Sequence, residues 1–214
     1  MEVFISYSNT NKRVAGKIQK ILNAFGVKSF LAHEDIKVSL DWQTVILDHL
    51  SKSDLFIALL SKAYEESFWC IQESGVAVFQ NMTLILLSLD GTIPKGFLGK
   101  TQSVRIDEKS LSISDLIPGI IQHDFAFGTE LIIDTIGNSR SFRQAEKNFE
   151  LILPYINRLK KTQIKELLKR SARNRQVYDA ILCRSQYIPG ILKDYGHLLS
   201  KKDLSVFIED TRQK

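Results

Sequence analysis

Five short apolar segments in the first 125 residues constrain the fold of this chain more than any other feature. They cover residues 2–7, 27–32, 55–60, 83–89 and 103–106, and amphipathic stretches separate them. Apolar runs of this length, alternating with helical patterns, are typical of buried parallel strands joined by crossover helices. The pattern predicts an α/β fold with a flavodoxin-like five-stranded parallel sheet and helices on both of its faces.

The stretches between the predicted strands have helical periodicity. In the first, Val14, Ile18 and Leu22 fall on one face, and Gly26 supplies a stop. Further helices are predicted around Trp42, around Trp69 and over 111–123. Ligands in such sheets bind outside the carboxyl ends of the strands, so this edge is the expected position of a functional site.

Composition and cysteine usage exclude several classes of protein. The chain is 44% apolar and 25% charged, which is typical of a globular protein, and its apolar runs are far shorter than the roughly 18 residues of a membrane span. We therefore expect no membrane association. Cys70 and Cys183 lie far apart and outside any ligand spacing, which excludes a disulfide scaffold and a structural zinc site. With no signal peptide recognisable at the N-terminus, a cytoplasmic location is expected.

Charge divides the chain near residue 140. Residues 1–140 carry 13 Lys and Arg against 16 Asp and Glu, a net charge of −3, whereas 141–214 carry 16 against 8, a net charge of +8. This asymmetry predicts a domain over 1–125, a linker over 126–141 and a basic helical region over 142–214. The basic region has two interpretations: a solvated face around an apolar helical stripe, or a surface for nucleic acid.

Several familiar catalytic motifs are absent from the sequence. There is no phosphate-binding loop ending in Lys-Ser or Lys-Thr, no GxGxxG, no HExxH and no GxSxG. The four histidines are scattered along the chain. We therefore expect neither a metal nor a bound cofactor.

Polar and aromatic residues follow three of the predicted strands. Ser6-Tyr7-Ser8 follows the first strand, residues 32–36 the second, and the pattern Trp69-x-x-x-Glu73 lies in the helix after the third. Positions i and i+4 of a helix share one face, so Trp69 and Glu73 would form one wall of a cleft. The alternative interpretation is structural, with Trp69 as a core anchor and Glu73 as a solvated side chain.

Four of these segments resemble, in the right order, the successive motifs of a bacterial Toll/interleukin-1 receptor (TIR) domain. They are VFISYS at 3–8, FLAHEDI at 30–36 followed by Trp42, FIALLS at 56–61 and SFWCIQE at 67–73. The resemblance covers about the first 125 residues. It departs from the bacterial pattern after Ile36, where relatives usually have Pro-Gly and this chain reads Lys37-Val38-Ser39.

The resemblance implies either NAD+ cleavage or protein–protein assembly. Enzymatic TIR domains release nicotinamide from NAD+ with a glutamate in the third helix, and the match falls on Glu73. The product is ADP-ribose or a cyclic isomer, which in bacterial anti-phage (Thoeris-like) defence signals to a separate effector. Family active sites are often completed by self-association. Adaptor-type TIR domains instead act by assembly alone.

The resemblance also implies a set of substrate-binding positions. NAD+ is the substrate and not a cofactor, and the residues expected to bind it are Tyr7, Ser8, Ala32, His33, Lys37 and Trp69. Of these, His33 and Lys37 lie in the loop that covers the nucleotide in the family.

Overall fold

The computed structural model describes residues 1–32 and 42–209, and the chain forms two compact units, 1–123 and 124 onward. The first unit contains the parallel sheet. Its strands are β1 (Glu2–Ser6), β2 (Lys28–Leu31), β3 (Leu55–Leu60), β4 (Thr83–Ser88) and β5 (Ser103–Arg105). All neighbours pair in parallel, in the order β2-β1-β3-β4-β5, which confirms the predicted flavodoxin-like sheet. Strand order reverses at β1, which opens the expected ligand crevice at the carboxyl ends of β1 and its neighbours.

The helices of the first unit are α1 (Lys12–Ala24), α2 (Trp42–Lys52), α3 (Lys62–Glu65), α4 (Phe68–Phe79) and α5 (Ile117–His123). Short 3₁₀ turns cover Asn9–Asn11, Gly96–Lys100 and Ile113–Asp115. The helix predicted over 111–123 therefore begins as a 3₁₀ turn. Two helices, α3 and α4, occupy the region after β3, because Ser61 and Ser67 each start a helix by accepting a hydrogen bond from a backbone N–H.

The core of the first unit lies between the sheet and its helices. Strand β3 is buried along its whole length, as expected for the central strand of a sheet covered on both faces. Phe4, Phe30 and Phe56 form an aromatic cluster, with ring centroids 5.4 and 5.7 Å from that of Phe4. These contacts fix β1 beside β2 and β3 and thereby fix the carboxyl end of β1.

The second unit is helical. Its helices are α6 (Phe125–Gly137), α7 (Phe142–Ile152), α8 (Lys161–Arg173), α9 (Arg175–Tyr178), α10 (Ile188–Tyr195) and α11 (Lys201–Glu209). On α8 one apolar face is buried, with Ile164, Leu167 and Leu168 in the core of this unit. Across the described residues, every helix is too short or too polar to cross a lipid bilayer.

The linker predicted over 126–141 is wrong, because most of that segment is helix α6. Asp124 caps the helix by accepting a hydrogen bond from the Phe127 N–H at 3.0 Å. Leu131, Ile132 and Ile136 are buried. The apolar periodicity of the segment, rather than its glycines, decides its structure.

Candidate active site

Glu73 lies where α4 crosses the carboxyl end of β1. Ser67 caps α4, and its hydroxyl accepts a hydrogen bond from the Cys70 N–H, which sets the start of the helix and hence the position of its second turn. Strand β1 ends at Ser6, which is polar and fully buried. Of the four strand residues before it, Glu2 is charged and the other three are apolar. Helix α4 packs against β1, and this packing brings the Ser6 hydroxyl to the Glu73 carboxylate.

The Glu73 side chain is buried with one protein donor. It is 1% exposed, and the Ser6 hydroxyl donates a hydrogen bond to Oε2 at 2.5 Å. The second oxygen, Oε1, is also buried and has no hydrogen-bond partner among the described residues. A buried carboxylate normally accepts several hydrogen bonds, so Glu73 keeps an acceptor oxygen that no described residue uses.

Burial raises the pKa of Glu73 to about 7, and the hydrogen bond from Ser6 acts in the opposite direction. Removing an ionised carboxylate from water is costly, which is why burial is the larger effect. At neutral pH both the acid and the carboxylate are therefore populated. A group in this condition changes its charge in response to small changes in its surroundings.

Three hydroxyl groups continue from Glu73 into the protein. The Ser6 Oγ lies 3.0 Å from the Tyr64 hydroxyl, which lies 2.9 Å from the Ser74 Oγ. Ser74 in turn donates to the backbone carbonyl of Cys70 at 2.7 Å. We call Ser6, Tyr64 and Ser74 the hydroxyl chain. All three side chains are buried.

A cleft of about 610 Å³ adjoins the hydroxyl chain. Tyr64 and Ser74 line it, together with apolar residues such as Ile71, Ile93 and Phe97, whereas Glu73 is not among its lining residues. A salt bridge at 2.9 Å joins Lys95 to Glu65, which also line it. Its volume is that of small-molecule sites, which range over roughly 300–1,000 Å³.

Trp69 lies one turn before Glu73 on α4, at the protein surface. Its side chain is 39% exposed, and its ring centroid lies 6.4 Å from that of Trp42. The indole therefore packs beside a second indole and keeps part of its face open to solvent. Glu73, in contrast, is directed into the protein.

Comparison with known proteins identifies the family of this first unit. The family model described as "TIR domain" matches residues 3–116, slightly more than half of the chain. The chain belongs to the TIR domain family. This confirms the resemblance at the level of the TIR domain. No curated protein matches the sequence significantly.

Solved structures that are similar to the TIR domain include a receptor domain and an enzyme. The receptor domain is the TIR domain of a Toll-related receptor from Hydra magnipapillata, at 17% identity, with a TM-score of 0.46, covering 59% of this chain and 96% of that one. The enzyme is a 2-deoxyribosyltransferase from Bacillus psychrosaccharolyticus, at 17% identity, with a TM-score of 0.43, covering 60% of this chain and 96% of that one.

The remaining predicted substrate-binding residues of the TIR domain occupy different environments. Tyr7 and Ala32 are fully buried, and Ala32 belongs to the hydrophobic core. Ser8 is half-buried and starts the 3₁₀ turn after β1, where its carbonyl accepts a hydrogen bond from the Asn11 N–H. His33 and Lys37 lie outside the described residues. For all of these positions, substrate binding stays a prediction.

The sequence patterns did not single out the partners of Glu73. Ser6 is one of several polar residues after the first strand, and no sequence pattern points to Tyr64 or Ser74. A signal for Ser6 exists, because a serine that ends an apolar strand is buried and must find a hydrogen-bond partner. Within residues 1–32 and 42–209, no group of three or more His, Cys, Asp or Glu side chains is arranged to hold a metal ion.

Proposed function

We propose that this TIR protein is an NAD+ glycohydrolase or cyclase that releases nicotinamide and produces ADP-ribose or a cyclic ADP-ribose isomer. The observation that carries the proposal is the Glu73 carboxyl group, which lies at the carboxyl edge of the sheet. One of its oxygens is held by Ser6, and the other has no hydrogen-bond partner among residues 1–32 and 42–209. Its position in the third predicted helix is where the family resemblance implies the catalytic glutamate.

The reaction needs no more than one carboxylate. The bond between the ribose C1′ and the pyridinium nitrogen breaks, and its electron pair passes to the nitrogen, so nicotinamide leaves as a neutral molecule without a general acid. Ordinary glycosidases need such an acid because their leaving group is poor. The remaining task is to stabilise the cationic sugar, and a preorganised negative charge at Glu73 does this. Water then adds to C1′ and releases a proton, or a nucleophile of the same molecule adds and closes a ring.

The burial of Glu73 leads us to include regulation in the proposal. At 1% exposure the carboxyl group is not accessible to a sugar in this structure. We therefore propose low activity in the isolated chain and activation by self-association through TIR surfaces. Tyr7, Ser8, Ala32, His33, Lys37 and Trp69 are the proposed substrate-binding residues.

The biological setting that we propose is bacterial anti-phage defence of the Thoeris-like kind, in the cytoplasm. A nucleotide product would signal to a separate effector. The family resemblance supports this setting, and the helical second unit is a candidate for trigger recognition.

An adaptor role is the second candidate function. It is favoured by apolar side chains exposed on α4, of which Phe68, Ile71 and Phe79 are between 53% and 86% exposed. Clustered apolar exposure marks protein–protein contacts. In an adaptor, Glu73 and the hydroxyl chain would have structural roles only.

The two functions are separated by incubating the full chain at high concentration with NAD+ and separating the products by chromatography. We expect free nicotinamide from the wild type, and Glu73→Gln to lower its rate of release by about 10²- to 10³-fold or more. Glu130→Gln is the matched control, since Glu130 is an exposed glutamate of α6, and it should leave the rate unchanged. Near-normal NAD+ consumption by Glu73→Gln would remove the assignment, and silence of the wild type even in a crowded state would favour the adaptor.

A further inference from the structure

The hydroxyl chain has more contacts than the protons of its hydroxyl groups can serve. Each hydroxyl carries one proton and can donate one hydrogen bond. Four contacts of 3.0 Å or less join the groups in sequence, from Glu73 through Ser6, Tyr64 and Ser74 to the Cys70 carbonyl. The three hydroxyls supply only three protons, so whether every contact becomes a hydrogen bond depends on Glu73.

With Glu73 protonated, all four contacts are hydrogen bonds pointing in one direction. The carboxylic acid donates to Ser6, Ser6 to Tyr64, Tyr64 to Ser74, and Ser74 to the Cys70 carbonyl. With Glu73 ionised, Ser6 must donate to the carboxylate. If Ser74 keeps its bond to the carbonyl, the single Tyr64 proton serves either Ser6 or Ser74, and the other contact places two oxygen lone pairs against each other.

We propose that the Tyr64 hydroxyl is a positioning group that favours the neutral acid form of Glu73 in the resting chain, by joining Ser6 and Ser74 into one directed series of hydrogen bonds. While Ser74 keeps its bond to the Cys70 carbonyl, the Tyr64 hydroxyl accepts one bond and donates another only when Glu73 carries its proton. The structure thus favours the form of Glu73 that cannot stabilise a cation. The consequence for catalysis rests on the proposed function, whereas the protonation of Glu73 does not.

The hydroxyl chain is also open to regulation from a cleft that Glu73 does not line. Tyr64 and Ser74 line the cleft described above, and Glu73 is not among its lining residues. A group in the cleft that accepts the hydrogen bond of the Tyr64 hydroxyl interrupts the series. Ser6 then donates its hydrogen bond to the Glu73 carboxylate. In this way the charge on Glu73 responds to the cleft, which is separate from the ligand crevice expected at the carboxyl ends of the strands.

Other titratable groups near α4 do not provide this effect. In the described part of the chain, Tyr64 and Cys70 interact electrostatically with Glu73. Burial raises the pKa of both, that of Cys70 to about 11, so both stay protonated at neutral pH. The elements that pack against α4 carry further charged or titratable side chains: Glu2, Asp48, His49, Lys52, Lys62, Glu65 and Lys100. Within the described part of the chain, burial and the Ser6 hydrogen bond account for the shift at Glu73.

The test measures the titration of Glu73 without NAD+. Unfolding free energies are determined from pH 5 to 9 for the full-length wild type and Glu73→Gln, and their difference reports Glu73 alone because all other groups are common to both proteins. The same two measurements are made on Tyr64→Phe and on the double variant that carries both Tyr64→Phe and Glu73→Gln. Removing the Tyr64 hydroxyl costs the protonated form two hydrogen bonds and the ionised form one, so the pH midpoint should fall by about 0.5 to 1 pH unit.

Tyr187→Phe is the matched control. It removes a hydroxyl that also bonds to a neighbouring group, the Glu150 carboxylate, but belongs to the second unit, and the Glu73 midpoint should stay where it is. A midpoint that is unchanged or raised in Tyr64→Phe overturns the proposal, because a tyrosine that merely donated toward the carboxylate would raise it when lost.

A second measurement needs no Tyr64 variant. In the infrared spectrum at pH 6, where ordinary carboxyl groups are ionised, the wild type should keep the carbonyl band of one protonated acid that Glu73→Gln lacks. Absence of this band from the wild type overturns the proposal. Neither readout involves NAD+, so a chain that fails to cleave NAD+ removes the proposed function and leaves this inference to its own test.

Discussion

Glu73 combines two properties that oppose each other at the level of a single side chain. Its burial at the carboxyl edge of β1 places it where a ligand of a parallel sheet binds, and the same burial penalises its charge. One hydrogen bond from Ser6 is a small compensation, since charge-assisted bonds contribute on the order of 1.5–3 kcal/mol. The residue that the proposed chemistry needs as an anion is thus costly to ionise.

This cost predicts a pH-dependent stability difference. The pKa of Glu73 rises from an ordinary value near 4.5 to about 7 on folding, so the folded chain binds this proton more tightly than the unfolded chain. Its contribution is fully present below pH 4.5 and is lost as pH rises toward and through 7. Relative to the wild type, Glu73→Gln should gain about 2–3 kcal/mol of unfolding free energy between pH 5 and pH 8. Denaturant unfolding at both pH values measures this, and a gain that does not grow with pH contradicts a buried, titrating Glu73.

The same residue predicts the pH profile of NAD+ cleavage. Since the carboxylate is the proposed active form, the rate should rise with pH around 7. In Ser6→Ala the ionised form loses the short, charge-assisted bond that lowers the pKa of Glu73, and this loss outweighs that of the neutral hydrogen bonds of the protonated form. The midpoint of the profile should therefore move to higher pH. Ser88→Ala is the control, because Ser88 also ends a strand, is equally buried, and bonds instead to the Thr92 carbonyl. If the pH profile of Ser6→Ala coincides with those of the wild type and of Ser88→Ala, Ser6 does not act on Glu73.

At the scale of secondary-structure elements, the strands could be predicted and some connections could not. The apolar run at 55–60 coincides with β3, because a central strand has a buried side chain at every position. In α6 the apolar periodicity does not stand out from the sequence, since the helix contains two glycines and polar residues follow it. The helix forms despite its two glycines, because Asp124 caps it and its apolar side chains are buried.

In the candidate site, too, a local sequence pattern predicts only some of the residues. A local motif was sufficient to predict Glu73, but Ser6 lies 67 residues away from it and Tyr64 lies 58 residues from Ser6. Only the packing of α3 and α4 against the end of β1 brings the three together. Hydrogen-bond networks between distant segments follow from tertiary packing, which no local pattern contains.

Two helical glycines provide a test of packing between elements. At Gly119 of α5, an added Cβ would lie 2.6 Å from the Ile85 Cδ1 on β4 and closer still to its Cγ1. Gly119→Ala should therefore destabilise the chain by about 1–3 kcal/mol through overpacking. Gly16 of α1 has open space around the same position, so Gly16→Ala should stabilise the chain by about 0.5–1 kcal/mol. Thermal unfolding of both variants measures this, and equal effects would mean that α5 does not approach β4 this closely.

At the scale of the whole molecule, charge follows the division into two compact units. Residues 1–123 carry 12 Lys and Arg against 13 Asp and Glu, whereas 124–214 carry 17 against 11. The basic character therefore belongs to the helical unit. Three lysines and an arginine fall at four-residue intervals along α8 (Lys161, Lys165, Lys169 and Arg173). A solvated face explains them, and nucleic-acid binding there stays a prediction.

Because all five strands and α1–α5 lie within residues 1–123, we expect this fragment to fold without the helical unit. It should unfold cooperatively in denaturant, and Glu73→Gln within it should show the same gain in stability with pH as in the full chain, since every described partner of Glu73 is present. A fragment of residues 1–110 is the control: it lacks Leu116, Ile117 and Ile120, which are fully buried, and it should lose cooperative unfolding. If the longer fragment also unfolds without cooperativity, the sheet depends on the second unit, and the hydroxyl chain can be studied only in the full-length protein.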